Sequence, residues 1–487
     1  MVDDIEGAAA SRSEAATMWQ QAGDLEGQVR NLRQHGAMLK QLGRHREAGA
    51  ILADAHRLAD SLPQDSVELA AIYADKAWPD SSKGTPDKAW IDRTIVAASI
   101  SNHHEALAVA HIMNGYLHLL AGRVPAGRRE LSRAVSVAAT SGLEDLEADT
   151  KSDAAAFLSV RLRYAAAEPF LEAAISLARD KDLDCTLNYA TANKARAQLF
   201  LGEWDETAAL ATWVLERPNT SMVPHIRALT ILGLLRVRRG DPDANLLLDE
   251  ALEKARKLSN VAVTIPVRAA RAEAELARED PDAALLEASA DLQMALDDGT
   301  DYEVAQLGYL IWKAGGRPPV TMPRHNPYTW QVEGRPLEAG RRWRRLGLPY
   351  EQARAFAETD DVDHLLEALG IFTELGATPA RTKTAERLRQ LGARGIPRGP
   401  RPATQANPVG LTPREMQVLQ LLASGLRNAE IAEQNHVSHR TVDNQVSAVL
   451  AKLEAKSRGE AVAKAYRIGI VGGDVTANDV SRSTSAT

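Results

Sequence analysis

Residues 411 to 471, LTPREMQVLQLLASGLRNAEIAEQNHVSHRTVDNQVSAVLAKLEAKSRGEAVAKAYRIGIV, carry the pattern from which the rest of the chain can be read. Thr412, Pro413 and Glu415 make a capping box with proline at the first helical position, and Met416, Leu419 and Leu422 recur at helical spacing. This predicts a helix that begins at Pro413 and stops near Gly425, whose missing Cβ suits a left-handed cap. A short second helix follows, with Asn428 as N-cap and Ile431 and Ala432 facing inward, and the chain turns again around Asn435 to Val437. Ser438 caps a third helix whose Val442, Val446, Val449 and Leu453 form a buried stripe. A fourth runs from Arg458 to about Ile468 behind a Ser457 cap, and its Ala461, Val462 and Ala465 make a small-residue face that either packs internally or pairs two copies.

Opposite the stripe of the third helix lie His439, Arg440, Asp443, Asn444 and Ser447. A polar helix face of this kind fits a DNA major groove, where asparagine pairs with adenine and arginine with guanine or phosphate. Lys452, Lys456 and Arg458 sit toward the far end, placed to meet phosphates, which add affinity without reading sequence. Arg427 is either a solvated residue or a further phosphate contact. His436 and His439 are three apart across a turn with no cysteine or carboxylate cluster beside them, so a metal pair is not expected.

These residues resemble the LuxR-type helix-turn-helix domain. The resemblance rests on LTPRE (411–415), LLASGL (421–426), NAEIA (428–432), VSxRTV (437–442), VxxVLxKL (446–453) and SRxEA (457–461). It implies double-stranded DNA as partner, base contacts at Asp443, Asn444 and Ser447, backbone contacts at Arg440 and Thr441, and a homodimer through the last helix at Ala461, Val462 and Ala465. With their neighbours, the expected DNA-binding residues are Arg427, Asn428, Ser438, His439, Arg440, Thr441, Asp443, Asn444, Ser447 and Lys452. One position departs from the common pattern: after T-V the family often has lysine, and here Asp443 stands. An acid there repels phosphate unless it accepts from cytosine N4 or pairs with a neighbour such as Arg440.

The net charge of −7 seems unfavourable for a nucleic-acid partner, but its distribution is not. Residues 381–471 carry a net charge of +8, which leaves −15 for the remainder, so the acidic part stays off DNA while the basic end engages it. With 487 residues the chain is long enough for several cores, and its 5% aromatic content suits helices packed through small residues. The single cysteine, Cys185, rules out an intramolecular disulfide, suits a reducing cytoplasm and is expected to be a small buried hydrophobe. No signal peptide is expected from the acidic start MVDDIEGAAASRSEA, and the most apolar stretch, Ala106 to Leu120, is too short to span a bilayer.

Upstream, short breakers followed by alanine recur at Gly43, Gly84, Gly122, Gly202, Gly240, Asp280 and Gly334, separated by 41, 38, 80, 38, 40 and 54 residues. The 80 is twice a period, with a degenerate unit near Leu162 to Ala167. A period near 40 built from two amphipathic helices and a turn predicts an all-α solenoid of stacked hairpins, whose curved surface binds peptides, proteins or small molecules. This part resembles the tetratricopeptide-like sensor array of the large LuxR-type regulators of the signal-transduction ATPase class, most of all over 326–358, 365–380 and 394–412. Their ATPase has no counterpart, because no GxxxxGK[ST] occurs, and no cofactor is expected.

The expected organisation is a repeat array over 1–394, a Pro/Gly-rich tether over 395–410, the helix-turn-helix domain over 411–471 and a disordered tail over 472–487. The eight tryptophans are spread as repeat packing would place them, and Tyr328, Trp330 and Trp343 are candidates for a signal or partner contact. His103, His104 and His111 are expected to be solvent-exposed, and Asp360 and Asp361 to cap a helix. No GxSxG, HExxH or cysteine–histidine arrangement suggests an enzyme. The expectation is a cytoplasmic, sequence-specific transcriptional regulator, an activator, whose array senses a partner or small molecule. The alternative is an adaptor or antagonist of a larger regulator with little DNA binding.

Overall fold

A computed structural model describes residues 5–41, 44–78, 85–218, 220–258, 260–394, 396, 409, 411–453, 455–468 and 470. Among these residues the secondary structure is helical, without a strand. Contacts divide the chain into two compact units, Met1–Ile396 and Pro397–Thr487. The expected breakers Gly43 and Gly84, nearly all of the tether and the whole tail lie outside the described residues.

In the first unit the 40-residue period is a physical repeat. The helices His104–Leu120, Glu144–Val160, Asp184–Leu201, Met222–Arg239 and Val261–Ala277 alternate with Val124–Thr140, Tyr164–Asp180, Trp204–Leu215, Ala244–Leu258 and Pro281–Ala290. Each helix packs against its sequence neighbours, and each member of the first set also touches the next member of that set, so these form the inner layer. Residues 40 apart occupy matching buried positions: Leu131 and Leu171, Ala134 and Ala174, Ala138 and Ala178 are all 0% exposed. Burying each such leucine contributes about 1.5–3 kcal/mol, while the alanines let helix axes approach closely.

The 80-residue gap in the pattern of breakers is explained by Leu162. The turns out of the inner helices need a left-handed residue, and Gly122, Gly202 and Gly240 supply it with φ of 73°, 95° and 87°. Leu162 takes the same place at φ 56°. A leucine there costs roughly 1–2 kcal/mol, which burial of its side chain in the main core cluster offsets.

Beyond residue 300 the period lapses. The helices Asp301–Lys313, Pro327–Val332, Pro336–Leu346, Pro349–Phe356, Val362–Leu375 and Thr378–Gln390 turn back on the array, with Pro349–Phe356 against Asp184–Leu201 and Thr378–Gln390 against Met222–Arg239. A Cβ on Gly202 would stand 2.9 Å from Pro349 Cγ and 3.0 Å from Leu375 Cδ2, so that glycine is required by proximity as well as by φ.

This return is fastened by buried charge. Arg238 donates to Glu273 (2.7 and 3.2 Å) and to Glu351 (3.1 Å), and its guanidinium lies 3.9 Å from the Tyr350 ring centre. Arg354 donates to Glu351, to Glu273 at 3.4 Å and to the Tyr328 hydroxyl at 2.6 Å, while that hydroxyl donates to Glu351 at 2.9 Å. Two cations thus face two anions. Burial would raise the Glu273 carboxyl, but Arg238 and Arg354 outweigh that and hold it below the usual range.

The same network revises the reading of the aromatic residues at the junction. Tyr328 and Trp343 are both 0% exposed, Trp343 donating to Gln331 at 3.2 Å, so neither offers a face to a partner. Trp330 stays half-buried, its indole donating to the Arg324 carbonyl at 2.9 Å. Cys185 is exposed rather than buried. The histidines are not simply solvated: His103 caps its helix by accepting from Ala106 at 3.1 Å, and His111 is buried against Glu130 at 3.0 Å. Asp361 does cap the helix that follows, accepting from His364.

Removing one member of the buried quartet leaves an opposite charge uncompensated, at a cost of about 3–5 kcal/mol. Glu351→Gln should therefore lower the denaturation midpoint of the full chain markedly, and an unchanged midpoint would contradict this fastening. Gly122→Ala should cost about 1–2 kcal/mol, from backbone strain alone. Gly202→Ala should cost clearly more, because Pro349 and Leu375 must also move; thermal melts of the two variants compare them directly.

Candidate nucleic-acid interface

Among the described residues the second unit has four helices: Pro413–Ala423, Asn428–Gln434, His439–Lys452 and Arg458–Arg467. Local chemistry fixes each start. Thr412 accepts from the Glu415 amide at 3.2 Å and donates its own amide to the Glu415 carboxylate at 2.7 Å, closing the box, with Pro413 at the first position. Ser438 accepts from Thr441 at 3.2 Å and Ser457 from Glu460 at 3.3 Å. Glycine at 425 (φ 86°) and His436 (φ 51°) make the two reversals.

The second helix begins differently from the sequence expectation. Arg427, not Asn428, is its N-cap, and the Arg427 amide donates to Glu430 at 2.6 Å. Asn428 falls at the first helical position, so its side chain is released for another task. It donates to Asp443 on the third helix at 2.9 Å.

Two apolar clusters hold the unit together. Val418, Leu422, Ile431, Ala432 and Val442 pack on one side, and Leu411, Leu419, Val449, Leu453, Ala461 and Ala465 on the other. Ala461 and Ala465 are 0% exposed, so they are committed to the unit's own core and cannot pair two copies. Val462 is half-buried against the first cluster. Among the described residues, the large apolar side chains left outside at the end of the last helix are Tyr466 and, just beyond it, Ile468, 55% and 46% exposed. Sequence reasoning missed them by following the small residues; the residues four beyond Val462 and next to Arg467 carried the signal.

On the third helix, burial of Val442 and Val449 turns the opposite side to solvent. Ser438, His439, Arg440, Asp443, Asn444 and Ser447 are all exposed, and Thr441 is half-buried. Asp443 is tied down by Asn428 and by His439 at 3.0 Å, not by Arg440. The Asn428 amide, then His439, hold its carboxyl below the ordinary aspartate range. Ser447 donates back to the Asp443 carbonyl at 2.8 Å. Among the described residues, Arg440 and Asn444 have no side-chain hydrogen bond or ion pair, which leaves a five-donor fork and an amide open to an incoming surface.

Two expected phosphate contacts have other work. Lys452 donates to Glu415 at 2.6 Å, and with Thr412 it holds that carboxyl below the usual range against the upward push of burial. Arg458 donates to the Leu426 carbonyl at 2.6 Å, tying the fourth helix to the turn after the first. Arg427 is exposed, and Lys456 is exposed at the far end.

Residues 409–465 match the family model described as bacterial regulatory proteins, luxR family. Over 61 residues the chain is 43% identical to response regulator protein VraR of Staphylococcus aureus, and equally to the proteins of that name in Staphylococcus saprophyticus and Staphylococcus epidermidis. The likeness covers 12% of this chain and 29% of each relative, less than a third of the curated relatives' length. With its capped helices, double reversal and exposed polar face, the C-terminal unit is a LuxR-type helix-turn-helix domain.

Proposed function

We propose that the chain is a sequence-specific DNA-binding transcriptional regulator, with activation as the expected sign, and that its helical array senses a partner or small molecule. The observation that carries this reading is the side of His439–Lys452 on which Arg440 and Asn444 stand exposed and uncommitted, beside Asp443 and Ser447. Arginine and asparagine are the side chains best shaped for bidentate contact with guanine and adenine edges. Asp443, already fixed by Asn428 and His439, presents a rigid acceptor that suits a cytosine amino group rather than a phosphate.

The array over 1–394 would act through a tether over 395–410 on the domain over 411–471, changing the effective concentration at which two domains meet adjacent half-sites. One such domain buries too little surface for promoter specificity, so a homodimer belongs to the proposal. Its contact would use Val462, Tyr466 and Ile468, since Ala461 and Ala465 are internal. Among the described residues no helix is long and apolar enough to cross a membrane, and the proposed site of action is the cytoplasm, with no enzymatic step.

A second reading, an adaptor with weak DNA binding, draws support from Lys452 and Arg458. Both are engaged within the domain, and fewer free cations mean fewer phosphates neutralised.

Genomic fragments selected by the full chain give the test. Arg440→Ala and Asn444→Ala should each weaken binding to a selected fragment by about 1–3 kcal/mol, roughly five- to 150-fold, while the thermal melt stays in place. Equal affinity for the variants in a gel shift would favour the adaptor. Tyr466→Glu should remove the two-protein complex and leave the one-protein complex, and unchanged stoichiometry would exclude the last helix as the dimer contact.

A further inference from the structure

The inner layer of the array contains a groove, partly open to solvent, where Asp184–Leu201, Met222–Arg239, Val261–Ala277 and Asp301–Lys313 come together. Its walls are mainly apolar, with Phe200, Ile226, Leu234 and Pro266 among them. A mainly apolar wall with a few convergent polar groups is the lining of a small-molecule site.

The groove also carries charged groups. Arg238, Arg268 and Arg271, on the same run of inner helices, each hold two carboxylates within ion-pair or hydrogen-bond distance. Arg196 and Arg227, which line the groove, hold none within 4.0 Å among the described residues. Arg196 has the Tyr164 ring centre at 5.8 Å, and Arg227 has the Tyr189 ring centre at 5.1 Å and donates to the side-chain amide oxygen of Asn193 at 2.7 Å. Two cations that share fewer anions than they have charges are costly to keep in an apolar enclosure, and the cost falls when an anion arrives.

One acid, Glu303, also lines the groove. Its carboxylate accepts from the Thr300 amide at 2.7 Å and hydroxyl at 3.0 Å, so it serves the start of its own helix. Two guanidiniums against one carboxylate leave a single positive charge, which matches a monoanion. A doubly charged phosphate would carry an uncompensated negative charge into an apolar enclosure. Gln306, also on the wall, makes no side-chain hydrogen bond among the described residues and has an amide to spare.

We propose that this groove binds a small amphiphilic carboxylate, an acyl or arylalkyl acid, with its carboxylate at Arg196 and Arg227 and its apolar body against Phe200, Ile226, Leu234 and Pro266. The inference deepens the reading of the array as a sensor and rests on it for its regulatory meaning. A ligand seated there bridges three successive inner helices and the first helix of the returning segment, so its binding free energy stabilises their mutual packing.

Isothermal titration of the full chain with octanoate and phenylacetate, against the uncharged octanamide and phenylacetamide, tests it. At least one acid should bind tenfold or more tighter than its amide. Arg196→Gln and Arg227→Gln should each weaken that acid at least tenfold, and Ala262→Phe, which fills the groove without touching its charges, should abolish binding; a thermal melt of each variant confirms folding. Equal binding of acid and amide, binding of neither acid, or full affinity in the folded variants overturns the proposal. Retention of selected genomic fragments is measured on the same preparation. If fragments are retained and the acids are not bound, the groove assignment alone falls; if acids bind and no fragment is ever retained, the groove stands and the regulator reading falls.

Discussion

Arg238, Arg354, Glu273 and Glu351 form a buried set of charges on which the shape of the first unit depends. Glu351 is 113 residues from Arg238 in sequence, yet it sits 3.1 Å from it, and both side chains are almost without solvent. Such groups are stable only together: each one lowers the desolvation cost of its opposite, and none tolerates the absence of a partner. The consequence is geometric. The returning helices are held against two inner helices of the array, Met222–Arg239 and Val261–Ala277, which also form the Arg227 and Pro266 sides of the apolar groove. Packing of the repeats supplies most of the apolar burial, and the charges decide how the run of repeats ends.

What could be read in the chain beforehand divides along the same line. Local signals were legible. The capping box at Thr412 and Glu415, the serine caps at 438 and 457 and the valine stripe of the third helix each act within a few residues, so spacing reveals them. The period near 40 was legible too, because a stacked hairpin must place a turn and an apolar stripe at equal intervals. One unit read as degenerate because Leu162 takes a glycine's conformation with a buried side chain.

Contacts across long stretches of chain were not legible. Nothing in the spacing of Asn428 shows that it reaches Asp443, and the cap it was expected to make was open to Arg427 instead. The small residues of the last helix looked equally suited to an internal or an external partner, and only the position of Leu419, Val449 and Leu453 decides for the interior. The partners of Tyr328 and Trp343, namely Glu351, Arg354 and Gln331, lie 12 to 26 residues away, so spacing alone left both as candidates for a partner contact. For the C-terminal unit this changes which side chains remain available: Lys452 and Arg458 are spent on the fold, while Arg440 and Asn444 are not.

In the proposed regulator the exposed side of His439–Lys452 enters the major groove of a duplex. Chemical probing of a selected genomic fragment bound to the full chain measures this directly, because dimethyl sulfate methylates guanine N7 in the major groove and adenine N3 in the minor groove. The expected result is protection of guanine N7 within two short segments about one helical turn apart, with adenine N3 there still reactive. Uniform reactivity at guanine N7 in a fragment demonstrably bound would contradict it.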